Sequence, residues 1–155
     1  MNMNKMKTFK TTKSIVLTAL MVVGILLSSC SKDDNESVSI VGSWKSTKSV
    51  VETFKDGVSQ GNTQEVIDAN NYSILTFKTD GRFSDKVVSS GSNYTEEGAY
   101  TTKDNVLSVK YDGNTDFDLT NFTLTNSTLV IVFTEEYTTG GNKYKDVVTS
   151  TYSRQ

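Results

Sequence analysis

The sequence contains no histidine, and its 155 residues include a single cysteine and a single tryptophan. Without histidine the chain lacks the commonest general base, the commonest metal ligand and every Ser-His or Cys-His nucleophile. With one thiol, Cys30, no disulfide can form within the chain, and a catalytic cysteine would have no imidazole to activate it. No glycine-rich loop joins a strand to a helix, so nothing supports nucleotide chemistry. Adjacent acids such as Glu96 and Glu97, or Glu135 and Glu136, point to opposite faces of a strand and cannot act together on one substrate. These absences argue against an enzyme and identify neither a cofactor nor a catalytic or metal-binding residue.

Long apolar runs are also scarce. The one that stands out extends from Ser14 to Leu27 and follows a segment with Lys5, Lys7, Lys10 and Lys13 and no acid. This is the order of a signal peptide, and the run falls short of the ~20 apolar residues that cross a ~30 Å hydrocarbon core. It ends in Leu27, Ser28, Ser29 and Cys30, which resemble a bacterial lipobox. The resemblance implies cleavage before Cys30, diacylation of its sulfur and acylation of the new amino terminus, so that lipid holds the protein on a membrane. Each buried methylene contributes about 0.8 kcal/mol, and two or three acyl chains make such an anchor durable without a spanning helix.

After Cys30 the stretch SKDDNES carries Lys32, Asp33, Asp34 and Glu36. It is similar to the acidic export tag of Bacteroidota surface lipoproteins, and it is also what a plain solvated tether looks like. The first reading implies the cell surface, the second a position at the outer membrane facing the periplasm. From Ser31 to Val38 the tether reaches at most about 25 Å, at roughly 3.3 Å per residue. The expected organisation is a signal peptide over 1–29, a lipidated cysteine and tether over 30–39, and one domain over 40–155.

Removing the signal leaves twelve basic against eighteen acidic residues, a net charge of −6. No basic stripe suits nucleic acid or anionic head groups. Asp112, Asp116 and Asp118 around Gly113 come nearest to a calcium loop, but its terminal glutamate is missing, and a solvated turn accounts for them. Past residue 38, Thr, Val, Ser, Tyr and Phe dominate and no stretch has a 3.6-residue period. Alternation predicts strands near 41–54, 72–79, 82–89, 93–102, 105–111, 116–125, 128–138 and 143–153, divided by short Gly-, Asn- and Asp-bearing hinges. Short hinges make consecutive strands antiparallel neighbours, and closing the meander into an eight-stranded barrel removes both free edges. Residues 55–71, long and polar, leave three options: a ninth strand, a short helix or a lid. Phe117 and Leu119 alternate out of phase with Phe122 and Leu124, which predicts a bulge near Thr120 and Asn121.

Gly42, Ser43 and Trp44 at the head of the first strand resemble the G-x-W signature of the lipocalins and their bacterial lipocalin-like relatives. That resemblance implies an all-β, single antiparallel up-and-down eight-stranded (calycin) barrel with a cavity. It also implies that Trp44 plugs the closed end and that Arg154, in the terminal TYSRQ, packs on its ring. The usual lipocalin cysteines are absent, and TDF at 115–117 sits a strand too early for the family's second motif. Alternation places Leu75, Phe77, Tyr94, Tyr100, Leu107, Val109, Tyr111, Phe122, Leu124, Leu129, Ile131 and Phe133 on inward faces. A barrel of this size is either filled by such side chains or holds one small ligand. Two functions follow: uptake of a small apolar or amphipathic molecule at the envelope, or a filled barrel serving as an interaction subunit of an outer-membrane complex.

Overall fold

The computed structural model describes residues 38–155. The expected signal peptide over 1–29, Cys30 and the expected tether up to residue 37 therefore lie outside the described residues. Nine strands follow in order: β1 (Gly42–Lys55), β2 (Val58–Gln64), β3 (Asn71–Phe77), β4 (Arg82–Ser89), β5 (Ser92–Lys103), β6 (Val106–Tyr111), β7 (Asp118–Leu124), β8 (Thr128–Thr139) and β9 (Asn142–Arg154). They form one antiparallel sheet in the order β2-β1-β3-β4-β5-β6-β7-β8-β9, which the additional β1–β9 pairing closes. Eight strands make the barrel and β2 lies beside it. Among the described residues no helix is long and apolar enough to cross a membrane.

Local chemistry explains the tight turns. Asp56–Gly57, Ser90–Gly91 and Gly140–Gly141 all have positive φ at both central positions, as type I′ hairpin turns require. Of the three options for 55–71, the structure contains the ninth strand. β2 pairs with the upper half of β1, from Val50–Gln64 to Lys55–Val58, while β3 pairs with its lower half, from Gly42–Phe77 to Lys45–Ile74. One edge of β1 is thus shared between two strands.

The expected bulge in β7 is absent. β7 pairs with β6 and β8 in unbroken register, and Phe117 and Leu119 are exposed at 46% and 68%. Their phase is that of the outer surface, so no extra residue is needed to explain it. The irregularities fall instead in β1, between Ser46 and Lys48 against β9 and between Glu52 and Phe54 against β2. The first lets Trp44, Ser46 and Ser49 all be buried despite the odd spacing.

The core gathers Ile40, Trp44, Leu75, Phe77, Phe83, Tyr100, Leu107, Phe122 and Leu129. Phe77 and Tyr100 meet edge to face at 4.8 Å, as do Phe83 and Tyr111 at 5.2 Å. Gly98 makes the second contact possible. A Cβ there would overlap the Lys110 carbonyl and lie 2.6 Å from Cε1 of Phe83.

Trp44 is completely buried and its indole N–H donates to the Ile40 carbonyl at 2.7 Å. Large aromatic side chains deleted from a packed core cost about 3 to 5 kcal/mol. Trp44→Ala is therefore expected to lower the urea-unfolding free energy by that amount; a loss under about 1 kcal/mol would contradict the packing described.

Candidate functional site

The closed end is built from both ends of the domain. Arg154 pairs in register with Trp44, and its guanidinium carbon lies 4.1 Å above the indole centroid. The same guanidinium donates from Nη2 to the Ser39 carbonyl at 2.6 Å, from Nη1 to Val41 at 2.9 Å and from Nε to Asn126 at 2.8 Å. One side chain thus ties the entering segment, β9 and the β7–β8 turn across the indole. Gly42 is required beneath it, because a Cβ there would approach Nη1 to 2.8 Å and φ is +132°.

Above this floor the residues expected on inward faces separate into three levels. Leu75, Phe77, Tyr100, Leu107, Phe122 and Leu129 belong to the buried core around Trp44. Val109, Tyr111, Leu124 and Ile131 are partly buried and pack against it. Phe133 is half-buried, and Tyr94 is 41% exposed toward the far end of the barrel. Single-strand alternation put these positions on one face but did not say at which height each lies. The stagger between strands decides that.

Register also brings inward three residues that the sequence reading passed over. Phe83 sits opposite Phe77 and Gly98, Tyr152 opposite Ser46 and Leu129, and Asp85 opposite Leu75 and Glu96. The alternation Phe83, Asp85, Val87 was available in the sequence as a signal for one shared face. Glu96 and Glu97 do point to opposite sides: Glu97 lies 4.0 Å from Arg82, which also makes a two-pronged contact with Asp112. Carboxylates do share a face as cross-strand neighbours, the partly buried Asp85 with the exposed Glu96 and Glu135 with Asp146. Directly opposed residues have Cβ atoms about 4.5 to 5.5 Å apart.

Asp85 is the electrostatically unusual group of the interior. Its Oδ1 is buried and has no hydrogen-bond partner among the described residues. Burial, and secondarily the charge of Glu96, pushes its carboxyl up from 3.8 to about 6. Tyr111 and Tyr152 are also raised, first by burial and then by the Asp85 charge, which puts both rings within its field. Because the folded state holds this proton more tightly than the unfolded chain, the contribution of Asp85 to stability is fully present below pH 3.8 and is lost as pH rises through 6. At neutral pH the ionised carboxylate costs up to about 3 kcal/mol, at 1.36 kcal/mol per unit. Asp85→Asn is expected to be more stable than wild type at pH 7.5, with the gain shrinking toward zero below pH 4. Parallel urea titrations of the two proteins at both pH values check this, and an equal difference at both would contradict it.

Among curated proteins and solved structures the comparison finds no match to this chain. A family model described as a lipocalin-like domain matches residues 40–131, from the residue that accepts the indole hydrogen bond to the first third of β8. β9 and Arg154 lie beyond the matched span, and their part in closing the barrel is read from the β1–β9 ladder alone. On the strength of that match, the chain belongs to the lipocalin-like domain family.

Proposed function

We propose that the protein is a non-catalytic, lipid-anchored envelope lipoprotein whose barrel takes up a small apolar or amphipathic molecule. The observation that carries the ligand reading is the gradient of burial along the inward faces. Every completely buried large side chain, Trp44, Phe77, Leu107 and Leu129, belongs to the core at the closed end. Inward positions farther up, among them Val51, Val87, Phe133 and Val148, are only half-buried, and Tyr94 and Tyr137 are about two-fifths exposed. An apolar and aromatic wall open at one end and sealed at the other suits a ligand that enters from solvent.

The anchor reading rests on the four lysines, the apolar run and the Leu27-Ser28-Ser29-Cys30 boundary. The tether joins the barrel at its closed end, since the Ser39 and Val41 carbonyls are the ones Arg154 holds. The opening therefore lies at the other end of the strands from the point of attachment. We place the protein at the outer membrane, on the cell surface if SKDDNES acts as an export tag and facing the periplasm if it is tether alone.

A second reading, an interaction subunit of an outer-membrane complex, is favoured by β2. That strand is exposed along its whole length and pairs with β1 alone among the described strands, which leaves an edge for a partner's strand.

Two experiments test these proposals. Cys30→Ala is expected to accumulate uncleaved precursor and to abolish palmitate labelling; labelling at the wild-type level would overturn the anchor. Native mass spectrometry of protein released from its own envelope is expected to show a retained small molecule. A co-purifying protein with no small molecule would favour the interaction reading instead.

A further inference from the structure

We propose that the seam between β7 and the upper half of β8 docks an extended, basic segment of another protein, which adds to β8 as a further strand. The site lies apart from the barrel interior and from the edge of β2, so it goes beyond both readings above and is independent of any ligand. It begins where the ladders stop. β7 pairs with β6 from Asp118 to Asn121, but with β8 only from Asn121–Val132 to Leu124–Leu129. Above Val132, β8 runs on to Thr139 paired with β9 alone among the described strands.

The tip of the β6–β7 hairpin is tied to the other side. The Asp112 amide donates to the Glu97 carbonyl of β5 at 2.8 Å, and the Arg82 guanidinium of β4 grips the Asp112 carboxylate. At the foot of the seam the Thr120 hydroxyl donates to the Val132 carbonyl at 2.6 Å. In an antiparallel ladder, alternate residues turn their N–H and C=O groups toward each neighbouring strand. The Thr128 carbonyl accepts from the Thr125 amide, so the even-numbered residues of β8 are the ones that face β7. Thr134, Glu136 and Thr138 therefore hold out backbone groups that no described strand meets, and all three residues are exposed.

Such an edge is a template for a strand unless it is bulged, covered or guarded by charge. The edge of β2 is bulged opposite Glu52 and Phe54, and its Gly61 amide already donates to Ser59 Oγ at 3.3 Å. The upper half of β8 keeps an unbroken register with β9 and contains no proline. Beside it Phe117 and Leu119 leave apolar surface exposed, which an added strand would cover.

Charge selects the occupant. Glu135 and Glu136 on β8, with Asp116 and Asp118 at the head of β7, form no ion pair among the described residues, where the salt bridges are those of Arg82. The nearby lysines are turned elsewhere: Lys145 lies over the Phe54 ring and Lys110 over the Phe117 ring. Glu135 and Glu136 point to opposite faces, so a strand with cations at successive positions meets one acid on each face. An acidic strand meets repulsion on both, and so does the β8 edge of a second copy.

The test uses the protein released from its own envelope into phosphatidylcholine nanodiscs, titrated calorimetrically with an end-capped peptide of threonine, valine, lysine, lysine, valine and threonine. Two control peptides carry glutamate in place of lysine, or a methyl group on every backbone nitrogen. The lysine peptide is expected to bind about tenfold or more tightly than either control, because the first control reverses the charge and the second removes the strand hydrogen bonds. Its binding is expected to slow amide exchange at Thr134, Glu136 and Thr138, and to leave β2 unchanged. Thr134→Pro, which deletes an amide facing the seam and spares the β9 ladder, should weaken the lysine peptide to the level of the methylated one. If that variant does not fold, the methylated peptide on the wild-type protein carries the same comparison. Equal binding of the methylated peptide would overturn strand addition, and equal binding of the glutamate peptide would overturn the basic partner. Slowed exchange along β2 and not β8, or dimerisation through β8 without peptide, would overturn the assignment of this edge. No binding of the lysine peptide at millimolar concentration would overturn the proposal as a whole.

Discussion

Pairing between β1 and β9, from Trp44–Arg154 up to Lys55–Tyr144, joins the first and last strands of the domain into a closed ladder. A meander without that ladder would expose two rows of unpaired backbone groups and would have no defined inside. With it, each strand has one face toward water and one toward a shared interior, and period-two alternation acquires a fixed meaning. The ladder also seats Arg154 over Trp44, because the two are partners in its register. The closed end therefore follows from the closure of the sheet: the residue that completes the last strand is the one that caps the indole.

Within that frame the interior is divided by chemistry. The lower part is apolar and aromatic, held by rings that interlock because Gly98 leaves room for Phe83 against Tyr111. Higher up, hydroxyl groups and acids stand among the valines and aromatic rings: Ser46 and Ser49 on β1, Asp85 on β4, the exposed Glu96 on β5. Packing alone would favour an aliphatic residue at position 85.

The extra strand alters the wall of the barrel in a second way. Because β2 occupies the upper edge of β1 and β3 the lower, β1 has different neighbours at its two ends. The bulge between Glu52 and Phe54 sits where β1 runs beside β2, and the other, between Ser46 and Lys48, where β1 leaves β3. Bulges increase local twist, which lets one long strand serve both a tight floor and a wider rim.

Alternation and hinge chemistry in the sequence were sufficient to determine an all-β meander, the approximate bounds of eight strands and the inward phase of residues such as Phe77, Tyr100 and Leu129. These are local properties, set by side-chain period and by the few residues that accept positive φ. The absence of histidine and the position of Cys30 were likewise legible without coordinates. Tertiary structure decided what depends on register between distant segments. It placed the polar stretch after β1 as a strand, read Phe117 and Leu119 as surface rather than as a bulge, and set the height of each inward residue above Trp44. It alone brought Asp85 beside Glu96 and set Tyr111 and Tyr152 within the field of that carboxylate. A chain's own alternation says which face a residue takes; only the stagger between strands says which residue of another strand it meets there.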